Sequence, residues 1–234
     1  MNTKQYRNIE DNFFKAIKKL EGNNLLLYCL TGSLGRNDLI DGWSDIDILL
    51  VFNEYSVSFF SHIGEALKDS AKTIKIGTTF YSLNEFNNAE YFKDPKTCHT
   101  IELIKKGIYV PKVKNDKIIL PNINKEILKI YDLVDMGKYL HNIRRQLIER
   151  LEFDERSVYK QLFSILKILL YRQDILVFGY QDVLLKSKKY LSGFKYSLPL
   201  PKEIMNSPAQ KNDRYNVYVD LLNWLKDYKL SPID

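Results

Sequence analysis

Two aspartates one residue apart, Asp45 and Asp47, open the apolar run Ile48-Leu49-Leu50-Val51-Phe52 in the stretch SDIDILLVF. Ser33, in the turn-rich segment TGSLGRNDLIDGW, stands twelve residues before Asp45. In a strand, residues i and i+2 point to one face, about 6.6–7 Å apart along the chain. Asp45 and Asp47 therefore share a face, and Ile46, Ile48 and Leu50 share the other, toward a core. Two carboxylates held this close repel, and a bound divalent cation removes that cost. Carboxylates, waters and substrate phosphates are the usual ligands of Mg2+. Paired ions about 3.5–4 Å apart stabilise the attacking and leaving oxygens of a phosphoryl transfer. Gly32 permits close backbone approach, and a turn of this kind can present N–H groups to a triphosphate. The Ser33 hydroxyl can donate to a phosphate oxygen, and Arg36 can add a charge-assisted contact.

The elements that must position these residues follow from periodicity. Residues 8–20 place Ile9, Phe13, Phe14, Ile17 and Leu20 on one helical face, and Gly22 ends that helix. NLLLYCL (24–30) is a short apolar run, expected as a buried strand, and SDIDILLVF (44–52) is the second strand. The segment between them, GSLGRNDLIDGW, reads as a loop. Residues 56–72 read as a helix, 73–83 as a third strand, 95–107 as a helix closed by Gly107, and IYVPK (108–112) as a short final strand. Past the polar, proline-containing segment PKVKNDKIILPNIN the pattern becomes helical, over 125–151, 157–173 and two later stretches. SGFKYSLPLPKEIMNSPAQ reads as a long loop between the later helices. The expected architecture is α+β: a small mixed β-sheet with flanking helices over residues 1–115, then an all-α helical bundle over 116–234.

Composition narrows the partners. The 234 residues are 45% hydrophobic and 27% charged, ordinary for a globular protein with a real core. No apolar run approaches the roughly 18 residues that span a bilayer. The opening MNTKQYRNIEDNFF has no apolar stretch of the secretory kind, so a cytoplasmic protein with no membrane partner is expected. Cys29 lies in an apolar run and Cys98 has no neighbouring cysteine, which argues against a disulfide framework or a zinc knuckle. His62, His99 and His141 are scattered and read as surface or cap residues. Net charge is +6, with 19 basic and 14 acidic residues in 123–234 against 16 and 15 in 1–122. That surplus suits a phosphate-bearing partner and is too mild to argue for nucleic acid by itself.

GSLGR followed by SDIDILLVF resembles the active-site signature of the DNA polymerase beta-like nucleotidyltransferase superfamily. Gly32, Ser33, Asp45, Ile46, Asp47 and Ile48 match its order and spacing, and Arg36 matches a position often basic in small bacterial members. The resemblance covers about residues 24–110. It implies a mixed-sheet core binding an NTP, ATP first, with Mg2+ (or Mn2+) held by Asp45 and Asp47. It implies transfer of NMP to an acceptor with release of pyrophosphate. The acceptor would be a small molecule such as an antibiotic, a protein side chain or a tRNA. A helical second domain is also common in the superfamily. Lys160 and Lys167, which share a helical face at i, i+7, resemble its phosphate-binding lysines; solvated lysines flanking an apolar stripe are the other reading.

The superfamily normally supplies a third carboxylate from a neighbouring strand. KTIKIGTTFYSL holds none, and Gly77 falls at the expected position. Asp69 precedes this strand, Glu85 follows it, and Glu102 sits in a helical segment. Three alternatives stand: two aspartates suffice, with an acidic or substrate-assisted acceptor; Glu149 or Glu152 of the helical half acts as base; or the chain binds nucleotide without turnover, as a regulator or toxin–antitoxin component.

Overall fold

The structure is a computed structural model that describes residues 3–70, 74–88, 94–148, 154–207 and 211–228, with the side chains of 69 and 70 outside the description. The chain divides into two compact units, residues 1–124 and 125–234. The first is built from α1 (Thr3–Glu21), β1 (Leu25–Thr31), α2 (Gly32–Arg36), β2 (Ile46–Phe52), α3 (Phe59–Ser70), β3 (Ile76–Ser82), α4 (Leu83–Asn87), α5 (Pro95–Lys105) and β4 (Val113–Lys114). The strands form one mixed sheet in the order β3-β2-β1-β4. β1 pairs antiparallel with β2 and β4, and β2 pairs parallel with β3.

Alternation along β2 decides the layering. Ile46, Ile48, Leu50 and Phe52 enter one core with Tyr6, Phe13 and Ile17 of α1 and Phe59, Ile63 and Ala66 of α3. Asp47 lies on the opposite face, against Gly32 and Gly77, and both it and Asp45, the residue just before the strand, are half-buried. β1 is buried along its whole length, as an interior strand must be. Cys29 and Cys98 are both buried free thiols, and burial pushes the Cys29 thiol up to about 12. The native chain is therefore expected to release almost no thionitrobenzoate from Ellman's reagent at pH 8, and about two equivalents once unfolded.

Besides the unexpected short helix α4 that follows β3, three elements differ from expectation. The segment read wholly as a loop begins as the helix α2, closed by Asn37 in the left-handed region at φ 62°. The final strand is Val113–Lys114 rather than 108–112. Pro111 has no N–H to give a ladder, and pairing starts just past it, where the Lys112 and Asn115 N–H groups donate to the Tyr28 and Leu26 carbonyls at 2.8 Å each. Within the expected loop 192–210 lies the short helix α9 (Pro201–Asn206), started by Pro201 and by Glu203, whose carboxylate accepts from the Leu200 N–H at 2.7 Å.

The second unit is helical, as expected. It contains α6 (Lys125–Ile148), α7 (Glu155–Tyr171), α8 (Gly179–Tyr190), α9 and α10 (Lys211–Asp227). α7 buries Val158, Leu162, Ile165, Leu166 and Leu169. Its first turn is tied to α10 by Glu155, whose carboxylate takes a two-pronged pair from Arg214 at 2.5 and 2.8 Å and a hydrogen bond from the Tyr218 hydroxyl at 2.7 Å. Among the described residues, no helix is long and apolar enough to cross a membrane.

Candidate active site

The carboxylate pair sits where a braced loop enters the sheet. Between α2 and β2 the Tyr6 hydroxyl donates to the Ser44 carbonyl at 3.4 Å and accepts from the Gly42 N–H at 3.2 Å. The Ser44 hydroxyl accepts from the Ile40 N–H at 2.9 Å, and Trp43 is buried beside it. These bonds fix the residue before Asp45. The ladder fixes Asp47, whose backbone lies opposite Thr31 on β1 and Gly77 on β3.

Gly32 brings the other half of the site to the same place. Its φ is +61°, a conformation side chains rarely adopt, and a Cβ there would collide with Asp47 Oδ2. The N-terminus of α2 and the Asp47 carboxylate thus approach as closely as backbone and side chain can. Gly35 is equally constrained, since a Cβ on it would meet the Leu30 carbonyl oxygen at 2.5 Å.

Arg36 is committed inside the unit. Its Nε and Nη2 donate to Asp38 at 3.0 and 3.2 Å, and its Nη1 donates to the Tyr109 hydroxyl at 2.7 Å. Arg7 reaches the same turn from α1, donating to the Leu34 carbonyl at 3.1 Å. Tyr109 is buried, and burial pushes its phenol up, with Arg36 and the Gly32 N–H partly offsetting that. Tyr109→Phe removes the acceptor from a partly buried guanidinium N–H. Urea denaturation is expected to read a loss of about 1–3 kcal/mol.

Lys96, absent from the sequence reading, enters the site from α5. Its ammonium donates to Asp47 Oδ1 at 2.9 Å. The start of α5 is anchored to the sheet through Asp94. That carboxylate caps the Thr97 N–H at 3.0 Å and accepts from the Tyr81 hydroxyl of β3 at 3.1 Å. Beside the pair is a cavity of about 100 Å³ lined by Thr31, Asp47, Gly77, Thr79, Lys96 and Thr100, among others.

Of the other carboxylates weighed from sequence, Glu85 and Glu102 are engaged elsewhere. Glu85 closes the capping box of α4 with Ser82. Ser82 is five residues up β3 from Gly77, roughly 16 Å along a strand. Glu102 pairs with Lys105 at 3.1 Å. Glu149, Glu152 and the side chain of Asp69 fall outside the described residues. Lys160 and Lys167 are half-buried on α7, in the second unit.

The donor set suits a hard divalent ion that arrives with its substrate. Mg2+ is commonly held by one or two carboxylates plus substrate phosphates. Asp45 and Asp47 stand two residues apart where the chain enters β2, and Gly32, lacking a Cβ, lets the backbone of the turn lie against the Asp47 carboxylate. Among the described residues no group of three or more His, Cys, Asp or Glu is gathered for a metal.

Comparison with known proteins bears on the family and the fold. A model of the nucleotidyltransferase domain matches residues 10–131, just over half of the chain. No curated protein gives a significant sequence match. Among solved structures, the chain resembles the crystal structure of spectinomycin adenyltransferase AAD(9) from Enterococcus faecialis with ATP and spectinomycin. Identity is 13% and the TM-score 0.58, covering 94% of this chain and 99% of that one. At that identity the likeness is one of fold. The domain match, the mixed sheet and the signature carried on it assign the chain to the nucleotidyltransferase domain family, within the polymerase beta-like nucleotidyltransferase superfamily.

Proposed function

We propose that the chain transfers a nucleoside monophosphate from an NTP, ATP first among the candidates, to a nucleophilic oxygen of an acceptor. The observation that carries this reading is the approach of Asp47 to the Gly32 turn, with Asp45 two residues before it in the chain. The α2 N-terminus and the Ser33 hydroxyl bind and orient the triphosphate. Asp45 and Asp47 would hold Mg2+ (or Mn2+), which when bound screens phosphate charge and polarises the α-phosphate. The acceptor oxygen forms a new bond to the α-phosphorus, the bond to the bridging oxygen breaks, and pyrophosphate leaves. Arg36, through Asp38 and Tyr109, stiffens the turn and adds positive charge behind it.

The resemblance to a structure solved with ATP and spectinomycin supports a small-molecule acceptor, with an antibiotic as the first class to test. A protein side chain or tRNA is the second. The nucleotide contacts proposed for Lys160 and Lys167 are tested by Lys160→Ala and Lys167→Ala, each expected to weaken NTP binding by about tenfold, the loss of one charge-assisted contact.

A second reading, a nucleotide-binding regulator without turnover or a toxin–antitoxin component, is favoured by one observation. The residue opposite Asp47 on β3 is Gly77, and the group that meets Asp47 there is the Lys96 ammonium. One experiment separates the two. Purified chain is incubated with each NTP labelled at the α-phosphate, Mg2+, and either candidate antibiotics or cell extract. Label moving to a product, with equimolar pyrophosphate, supports the transferase. Nucleotide retained unchanged on the chain, with no labelled product from any acceptor, supports the regulator.

A further inference from the structure

We infer that Lys96 is a positioning residue of the nucleotide site, its ammonium taking the place of a second divalent ion beside Asp47. The site would then hold one metal ion per bound nucleotide. This rests on reading Asp45 and Asp47 as an NTP site.

The two oxygens of Asp47 face different surroundings. Oδ2 lies against the Gly32 turn, on the side assigned to phosphate. Oδ1 faces β3, where a Cβ built on Gly77 would stand 3.4 Å from it, and accepts from Lys96 at 2.9 Å. The parallel register makes Gly77 the β3 residue paired with Asp47. A carboxylate at that position would share Oδ1's surroundings and complete a second ion's ligands. Glycine supplies none, and a Cβ would fit there in ordinary contact, so the gap is one of chemistry rather than of space.

Among the described residues the cavity at that point is lined by threonines, Ile48, Leu49, Gly77, Lys96 and a single carboxylate, that of Asp47. From the described residues lining it, a second dication there would gain one anionic ligand and would face an ammonium across a few ångströms, where like charges repel strongly. Lys96 is delivered to this spot by construction. It follows the first residue of α5, whose cap, Asp94, is bonded to β3 through Tyr81. Its own carbonyl accepts from the Thr100 hydroxyl at 2.8 Å. The Lys96 side chain is 64% exposed against 29% for Asp47, so the ammonium reaches a partly shielded carboxylate from the solvent side.

The test counts metal. Full-length chain is saturated with Mn2+ and α,β-methylene-ATP and separated by gel filtration, and Mn2+, nucleotide and protein are measured in the protein fraction. One Mn2+ and one nucleotide per chain are expected for the wild type and for Lys96→Arg, and two Mn2+ for Gly77→Asp/Lys96→Met. Two Mn2+ per nucleotide in the wild type overturns the assignment of Lys96 and leaves the NTP site standing. No nucleotide in the wild-type fraction overturns both. A double variant that folds, by its circular dichroism, yet stays at one Mn2+ also overturns the assignment. A second measurement does not depend on the double variant's folding. Without nucleotide, Mn2+ should bind Lys96→Met about tenfold more tightly than wild type, with Lys96→Arg unchanged, because a competing cation has left Asp47. Equal affinity in Lys96→Met and wild type overturns the proposal.

Discussion

Asp47→Asn is expected to leave the fold intact and reduce transfer from an NTP by at least about 100-fold. Loss of residues that merely orient a metal ligand costs 10–100-fold, and Asp47 is proposed as a ligand itself. The fold should tolerate the change. The ion pair that Asp47 makes is with Lys96, whose side chain is 64% exposed, and such pairs contribute about 0–1 kcal/mol. The isostere keeps the volume against Gly32. Thermal melting should therefore move by no more than a few degrees while turnover collapses. If stability and activity fall together, Asp47 is a structural residue and the metal assignment fails.

Gly32→Ala is expected to do the reverse, damaging the fold and the site at once. The left-handed φ of +61° costs a side chain roughly 1–2 kcal/mol, and the collision with Asp47 Oδ2 adds an overpacking cost of about 1–3 kcal/mol. Urea denaturation should show a loss of about 2–5 kcal/mol. The relief open to the structure is to push Asp47 away, which separates carboxylate from turn, so surviving folded protein should bind NTP at least about tenfold more weakly. Gly77→Ala is the control. Its Cβ would meet Asp47 Oδ1 at 3.4 Å, ordinary contact, and stability should stay within about 1 kcal/mol.

What was legible in the sequence was what a local period carries. A repeat of two along SDIDILLVF placed Ile46, Ile48 and Leu50 in the core and Asp47 on the other face. The absence of an acid in the third strand was also readable, and the ladder puts Gly77 opposite Asp47. α2 was not legible, because a five-residue helix containing two glycines has no apolar period to show. β4 was displaced because its two residues pair too briefly to outweigh the apolar residues just upstream, of which Tyr109 turns to Arg36 instead.

Lys96 and Tyr109 were missed for a different reason. They meet Asp47 and Arg36 across 49 and 73 residues of chain. A lysine in the first turn of a helix looks like solvated charge, and a tyrosine in an apolar stretch looks like strand. The one local signal was the cap. Asp94-Pro95 is a strong helix start, which places Lys96 near the end of the helix, where it can reach a neighbouring strand. Arg36 has a local partner as well as Tyr109. Its position pointed to a phosphate, but Asp38, two residues on, was an available partner and holds its guanidinium.

The central claim, that Asp45, Asp47 and the Gly32 turn form a metal-dependent nucleotide site, is most directly tested by calorimetry. ATP, GTP, CTP and UTP are titrated into the chain in millimolar Mg2+, then with the metal chelated, and again into Asp45→Asn/Asp47→Asn. The expected result is saturable binding of at least one NTP that needs Mg2+ and disappears in the double variant. Binding that persists unchanged without metal or without the two carboxylates, or no binding of any NTP to the wild-type chain, would contradict it.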